Sequence, residues 1–270
     1  MATRRFARLL FAVGMIGLGV LSFIFGKYSL QWEPVPASVP ANLAYASAAI
    51  LVLGGFLMLA GRLAMLGAGL AAVFLAIWVV VLQLPGAVAA SASAHGWQDL
   101  SGIWLGFCED LAMMSGAWTL MAMADQDGNG ASTRFLTDAT GLRIARTLFG
   151  IACLVFGASH FAFADFTSTM IPDWIPARLP LAYITGAGHI LAGVALVTGV
   201  LPRLAATLEA VMMSLFVALV HVPMLLAHPA PEAMQVDWTM LFVAISLSAS
   251  AWAIAGGLGD RPWGLAKSDS

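Results

Sequence analysis

Eight apolar runs, each close to the roughly 20 residues that an α-helix needs to cross a bilayer, constrain this chain more than any other feature. Charged residues make up 10% of the sequence, against about 25% in ordinary soluble domains, and 61% of the residues are hydrophobic. We therefore predict an all-α membrane protein with eight transmembrane helices and almost no soluble domain. The runs begin near Phe6, Ala41, Leu63, Ser101, Ile144, Pro180, Leu204 and Trp238.

The chain also contains an internal duplication, which is the clearest sign of its architecture. At one constant shift, Arg5, Arg8, Pro34, Tyr45, Gly55 and Pro85 recur as Arg143, Arg146, Pro172, Tyr183, Gly193 and Pro223. Each copy holds four helices, an even number, so both copies enter the membrane in the same sense and form a parallel repeat. We expect two four-helix bundles side by side, from residues 1–124 and 143–270, with a short C-terminal tail. Residues 125–142 form a polar cytoplasmic linker between them.

The basic residues predict the orientation, because Lys and Arg near helix ends accumulate on the cytoplasmic side. With the N-terminus in the cytoplasm, Lys27 and Arg178 lie outside, and the rest of the 12 Lys and Arg residues lie on the cytoplasmic side. Both termini are then cytoplasmic in a multi-pass plasma-membrane protein whose main partner is the lipid bilayer. The net charge of −2 and the scattered basic residues give no reason to expect nucleic acid.

The linker contains a partial match to a calcium-binding loop. Asp125, Asp127, Asn129 and Gly130 match the opening of an EF-hand, but Leu136 stands where its last ligand should be a glutamate. Turns formed by the Asp-Gly and Asn-Gly pairs explain the same residues without an ion. Turns are the favoured interpretation, and calcium at 125–136 stays an open alternative.

Polar side chains within the apolar runs are the candidates for a functional site, since each costs on the order of 2.5 kcal/mol or more in hydrocarbon. The duplication distinguishes these side chains from residues with a structural role. Structural features are expected in both copies, whereas none of these side chains is repeated. His189 matches Leu51, for example, and Glu209 matches Ala71. The candidates are Glu109, Asp110, His160, His189, Glu209 and His221.

We expect an outward-opening pocket in the second bundle, with His189 at its floor and His160 and His221 beside it. Glu109 or Asp110 would add a carboxylate if the fourth helix packs nearby. Imidazole near neutral pH can relay protons or bind metal. The alternative is that each histidine hydrogen-bonds a carbonyl or a hydroxyl such as that of Thr185.

Three further expectations concern single groups. His160 and His221 could hold a haem or a metal ion between them, although no haem-attachment motif is present and no other metal site is expected. Glu209 is expected to turn toward an arginine at the cytoplasmic boundary. Cys108 and Cys153 are interpreted as buried, apolar thiols, and tryptophans such as Trp32 as anchors at the membrane surface.

The second copy resembles the DoxX family of bacterial four-helix membrane proteins, here in duplicated form. The resemblance rests on the segments "RIARTLFGIACLVFGASHF", "MIPDWIP" and "LAYITGAGHILAGVALVTGVLPRLAA". Members usually carry Glu where His189 stands, so the polarity is kept while the charge behaviour differs. The residues that fit the family pattern are Gly157, His160, Phe161, Pro172, Pro176, Tyr183, Thr185, Gly186, Gly193 and Arg203.

The resemblance implies a component of a redox system in the bacterial inner membrane. Some members are similar to the membrane subunit of thiosulfate:quinone oxidoreductase, and others are associated with thiol stress. A quinone, a sulfur compound or a partner redox subunit would then meet the polar pocket, to which Tyr183 and Thr185 also belong. The alternative is a non-catalytic small-solute carrier or membrane scaffold. The sequence leaves the choice between catalysis, transport and scaffolding open.

Overall fold

The computed structural model describes residues 2–125, 134–227, 231–259 and 263. Helix accounts for 86% of the structure, and the described residues contain no strand. The described residues form eight long helices in chain order. These are α1 (Ala2–Phe25), α2 (Ala44–Leu59), α3 (Gly61–Ser91), α4 (Trp97–Ala124), α5 (Ala139–Ala162), α6 (Arg178–Thr198), α7 (Pro202–Ala227) and α8 (Pro231–Gly257).

Seven helices of the described chain are long and apolar enough to cross a membrane, as in a multi-pass membrane protein. In hydrocarbon a helix satisfies its own backbone hydrogen bonds, which explains why these runs are helical. The exception is α4, which is 28 residues long but carries the adjacent acids Glu109 and Asp110. The prediction of a helical membrane protein is confirmed, whereas by length and apolarity seven spans, and not eight, are found.

Two loop segments, residues 26–43 and 163–177, lie together at one end of the bundle, which we call the cap end. The first contains the 3-10 turns Leu30–Trp32 and Ala41–Leu43, and the second contains the short helix Ala164–Met170. Both line the cavity described below.

At the opposite end, the predicted linker is partly helical. A short helix spans Arg134–Thr137, and α5 begins at Ala139, because the Asp138 carboxylate caps it by accepting the backbone N–H groups of Thr140 and Gly141. Residues 126–133, on which the calcium alternative depends, lie outside the described residues.

The helices pack as a closed ring, in which each long helix contacts the next and α8 contacts α1. Across the middle of the ring, α4 also packs against α8. α1 packs extensively against α8 and only slightly against α4, while α5 packs extensively against α4 and only slightly against α8. The halves therefore interlock through their fourth helices and do not lie side by side as separate bundles.

Glycines set the closest approach of the first two helices in each half. A Cβ on Gly19 of α1 would lie 2.7 Å from the carbonyl oxygen of Ala48 on α2. A Cβ on Gly157 of α5 would lie 2.6 Å from the carbonyl oxygen of Gly186 on α6. Small residues let helices approach in lipid, which offers no hydrophobic drive to association. The two contacts occur at positions that the duplication relates.

The contact between α4 and α8 forms the centre of the molecule, where α8 is 72% buried over its most apolar stretch. Gly116 of α4 faces Ser250, whose Cα would lie 2.6 Å from an added Cβ. Ser246 occupies the notch at Gly14 of α1, which explains why α8 packs against α1. The hydroxyls of Ser246 and Ser250 donate to carbonyls one turn earlier in α8. They are thus satisfied within their own helix.

Both α3 and α7 contain a π-helical turn at corresponding places, Trp78–Gln83 and Val217–His221. Each turn is followed closely by a proline, Pro85 or Pro223. A proline has no N–H, and its ring clashes with the carbonyl four residues earlier, which favours a widened turn. Single π turns are frequent at functional sites, and the second turn ends on His221.

Candidate ligand cavity and buried His–Glu pair

A cavity of about 630 Å³ lies among α4 to α8 at the cap end. A mostly apolar space with a few convergent polar groups is typical of a small-molecule site. Its apolar walls include Trp32, Phe156, Phe163, Phe166, Met170, Met213, Phe216 and Met240. Its polar walls include Gln31, Glu109, Ser159, His160, Thr167, His189 and His221.

At the inner end of the cavity, His189 of α6 pairs with Glu209 of α7. The His189 Nδ1 lies 2.7 Å from the Glu209 Oε1, and the two side chains are 3% and 0% exposed. The thiol of Cys153 donates to the same oxygen across 3.7 Å, so this cysteine is not merely apolar packing. A buried carboxylate costs several kcal/mol unless hydrogen bonds compensate it, and His189 and Cys153 supply these bonds to Glu209. The expectation that Glu209 turns toward an arginine is wrong, because α7 packs against α6 and brings it to His189.

His160 of α5 lies directly beside the pair, with its ring centroid 5.0 Å from that of His189. Its Nδ1 lies 3.0 Å from the Thr185 hydroxyl oxygen and 3.3 Å from the Ala182 carbonyl oxygen. Since the Thr185 hydroxyl donates to the Leu181 carbonyl, both neighbours accept, and the ring proton is assigned to Nδ1. The same holds for His189, whose Nδ1–H donates to the Glu209 carboxylate. Both rings therefore retain Nε2 as an acceptor for a ligand.

Glu109 brings a carboxylate from α4 to the cavity wall. The indole N–H of Trp32 donates to its Oε2 across 2.6 Å and joins the cap to α4. Trp32 is only 3% exposed, so it is part of the core and not an anchor at the membrane surface. The other Glu109 oxygen remains available to accept from a ligand or, when protonated, to donate to one.

His221 lines the cavity from the π turn of α7. Asp237 of α8 lies close enough to interact with it electrostatically. Within the described residues, no group of three or more His, Cys, Asp or Glu side chains could hold a metal ion. The rings that pack on His160 include those of His189 and Phe216, and a haem between His160 and His221 stays a prediction.

The remaining predicted site residues lie around the cavity and not in its wall. Asp110 is fully buried and accepts from the Gln83 side-chain amide across 3.1 Å, on the side of the first half. Tyr183 is 43% exposed and packs on Phe161. Thr185 supports His160. The structure thus brings Glu109, His160, His189 and His221 together, and their role in binding stays a prediction.

The first half contains a polar cluster that was not predicted, because its glutamate lies outside the apolar runs. Glu33, in the cap, is 4% exposed and accepts the Ser47 hydroxyl across 2.6 Å and the Ser29 backbone N–H across 3.2 Å. Burial raises the pKa of the Glu33 carboxyl, and the hydrogen bonds from Ser47 and Ser29 oppose that shift. Glu33 lies in a loop, whereas the polar side chains predicted to be functional lie within the apolar runs.

The signal for Glu209 was present in the sequence. His189 and Glu209 both replace apolar residues of the first half, Leu51 and Ala71, and both of those are buried in its core. Two polar substitutions at equivalent core positions of neighbouring helices predict that the new side chains meet.

Comparison with known proteins points to the same half of the chain. A family of unknown function matches residues 149–255. Its model is described as Domain of unknown function (DUF8561). The matched region contains His160, His189, Glu209 and His221, none of which is repeated in the first half. No curated protein and no solved structure matches the chain.

Proposed function

We propose that this chain binds a quinone or quinol headgroup in the cavity at the cap end, as a component of a membrane redox system. The observation that carries the proposal is that Glu109, His160 and His189 converge in a cavity walled by aromatic rings and methionines. A quinone needs the same combination, because its flat ring stacks on aromatic side chains and its two oxygens need hydrogen-bonding partners.

The polar groups suit both redox states of such a ligand. The Nε2 atoms of His160 and His189 accept from quinol hydroxyls when the rings are neutral, and donate to quinone carbonyls when they are protonated. Glu109 has the same two capacities. Quinol oxidation releases protons and quinone reduction takes them up, so side chains that can both accept and donate a proton suit either reaction.

The resemblance to the DoxX family supports the redox part of the proposal. On this view a partner subunit, and not this chain, exchanges electrons with the bound quinone. The cap end, where Trp32 and Met170 reach the cavity from both loop segments, is the face on which such a partner would bind.

We further propose that α4 also crosses the membrane, which gives eight spans in two parallel repeats of the bacterial inner membrane with both termini in the cytoplasm. At 28 residues, α4 is about 42 Å long, longer than the roughly 30 Å hydrocarbon core. It packs against α3, α5 and α8, so its acids contact protein and not lipid. The matching glycine contacts of the two halves and the distribution of basic residues support the parallel arrangement.

A small-solute carrier is the second candidate. A second groove, between α6 and α7, approaches the His189–Glu209 pair from the end opposite the cap. One opening on each side of a buried polar pair favours passage of a small solute through the second half. A carrier is expected to move a solute without retaining a quinone through purification.

Quinone binding is tested on the purified protein by organic extraction and by titration with a short-chain ubiquinone. We expect quenching of tryptophan fluorescence, because Trp32 lines the cavity, and a smaller quench in Trp32→Phe. The visible spectrum and elemental analysis of the same sample report any haem or metal. No extractable quinone and no saturable quench would contradict the proposal.

A variant that fills the cavity provides the sharper test. Ala244 of α8 lines the cavity and is 9% exposed, so Ala244→Phe should occupy the space of the ligand ring. We expect the ubiquinone Kd to rise at least about tenfold, which corresponds to ~1.4 kcal/mol. Val73→Phe, at a 63% exposed position of α3, is the matched control and should bind as the wild type does. Equal affinities for the two variants would locate the ligand elsewhere.

A further inference from the structure

The His189–Glu209 pair lies between the cavity at the cap end and a groove along the outer face of α6 and α7, where Leu191 and Leu208 are exposed. His189 lines the cavity at the cap end, and Glu209 lines the groove of about 390 Å³ between α6 and α7. From Met212 the groove continues to Leu201 and Leu204, at the end away from the cap. Among the described residues, none lines both spaces. The pair is therefore the place where the two approaches meet.

The groove follows from substitutions that separate the second half from the first. In the first half, α2 packs tightly on α3, and a Cβ on Gly67 would lie 2.6 Å from the carbonyl oxygen of Gly54. The counterparts in α6 and α7 are Ala192 and Ala205, whose methyl groups keep the backbones apart. The position of Ala71 is taken by Glu209. One set of changes thus opens the groove and puts a carboxylate at its inner end.

The pair offers one atom to each side. The Nδ1 of His189 is occupied by Glu209, so Nε2 is the ring nitrogen that remains for the cavity. The Oε1 of Glu209 is occupied by His189 and Cys153, whereas Oε2 is buried without a hydrogen-bond partner among the described residues. Nε2 and Oε2 are thus the two atoms of the pair without a hydrogen-bond partner in the described part of the chain, and a short hydrogen bond joins the two side chains.

We infer that the His189–Glu209 pair carries protons between the cavity and the groove. A proton that arrives at His189 Nε2 makes the ring cationic, and the Nδ1 proton then crosses the 2.7 Å hydrogen bond to Glu209. His189 becomes neutral and the carboxyl becomes protonated. The carboxyl group then rotates, so that the oxygen carrying the proton takes the unpartnered position of Oε2. Loss of that proton into the groove restores the carboxylate, and tautomer exchange resets the ring. One proton enters and one leaves, with no net change in the pair.

The groove controls how fast protons leave. Its volume has room for several water molecules, but apolar cavities stay dry, and its lining is apolar apart from Glu209. A dry groove holds the proton on Glu209, and a transiently hydrated groove releases it. A hydroxyl at Ala205, one turn from Glu209 in α7, should therefore speed release. Proton passage does not depend on the proposed quinone, because it needs only the two spaces and the pair.

The test uses the full-length protein in liposomes that contain a pH-sensitive dye, with a potassium diffusion potential imposed by valinomycin. We expect the wild type to acidify the lumen several-fold faster than protein-free liposomes do. In Glu209→Gln the amide oxygen still accepts from His189, but the side chain cannot carry the proton. Its protein-dependent rate should fall on the order of 100-fold, the scale of a missing proton-transfer group. Ala205→Ser should exceed the wild type.

Glu33→Gln is the matched control, since it changes a buried carboxyl outside the pathway and should conduct as the wild type does. A wild-type rate equal to that of protein-free liposomes, or a Glu209→Gln rate equal to that of the wild type, would overturn the inference. Ubiquinone titration of the wild-type sample separates the two proposals. Quinone binding without proton flux removes the pathway, and flux without quinone binding removes the proposed ligand.

Discussion

At the scale of single residues, the His189–Glu209 pair is a chemical difference between the two halves that the sequence repeat aligns. The first half has Leu51 and Ala71 at the same positions, and both are buried. A bundle of this kind thus packs without the pair. Since burying the pair brings a desolvation cost that apolar residues do not have, its presence in the second half points to a use other than stability.

Reverting the pair to the residues of the first half separates stability from function. His189→Leu or Glu209→Ala alone leaves an uncompensated buried group, so each should lower the free energy of unfolding by about 3–5 kcal/mol. The double variant His189→Leu/Glu209→Ala should regain most of that loss. Thermal unfolding in detergent measures the three variants, and two losses that simply add would show that the groups do not act as a pair.

The double variant also tests the cavity. Membrane insertion should be intact, whereas ubiquinone affinity should fall about tenfold, because the floor of the cavity loses its acceptor. Fluorescence titration and size-exclusion chromatography on the same sample report both properties. Wild-type affinity in a folded double variant would remove His189 from the binding site.

The residue scale also shows where prediction from the sequence fails. Depth along a helix axis follows from counting residues, and it suggested a pocket around His189. The direction of a side chain around the axis depends on packing, and counting does not give it. For that reason Asp110 was grouped with Glu109 although it faces Gln83, and Glu209 was assigned to the wrong partner.

At the scale of helices, the glycine contacts explain how each half holds its first two helices together. Gly19 and Gly157 occupy equivalent notches, but only the second lies in the helix pair that carries His160 and His189. A substitution at each position therefore tests the same packing with and without the site.

Gly157→Ala and Gly19→Ala should each cost roughly 1–3 kcal/mol of stability, because the added methyl forces the helices apart. Gly157→Ala should also weaken ubiquinone binding, since it shifts α5 relative to α6 and moves His160 away from His189. Gly19→Ala should bind normally. Unfolding curves and binding titrations on the two variants check this, and equal effects on binding would show that the cavity tolerates movement of α5.

Helix positions were largely predictable, because apolar run length determines where a chain can cross lipid. The π turns before Pro85 and Pro223 were not, since proline is compatible with a kink, a break or a widened turn. The number of spans was ambiguous at α4 for a physical reason. Its acids make it too polar to face lipid, and only its packing against α3, α5 and α8 explains how it is accommodated.

At the scale of the whole molecule, parallel repeats require the two cap loops to lie on one side of the membrane. Ser38→Cys and Thr169→Cys introduce thiols at exposed cap positions, and Val200→Cys introduces one at the opposite end. The native Cys108 and Cys153 are buried and should not react.

In intact bacteria, a membrane-impermeant maleimide should label Ser38→Cys and Thr169→Cys. It should label Val200→Cys only after the membrane is made permeable. Labelling of Ser38→Cys and Thr169→Cys from opposite sides would mean inverted repeats and would contradict the orientation proposed from the basic residues. The interlocking of the halves could not be predicted. The duplication shows which helices are equivalent, but it does not show which of the two fourth helices, α4 or α8, packs against each first helix.

That interlocking has a consequence for how the protein is made. One face of α1 packs against α8, so α1, which is synthesised before the other seven helices described here, waits for a partner that is synthesised after them. Until then the notches at Gly14 and Gly17 of α1, which α8 fills, face lipid or the insertion machinery. Maturation is thus a single late event for the whole chain, and a nascent chain interrupted before α8 is an orphan that quality-control proteases can recognise.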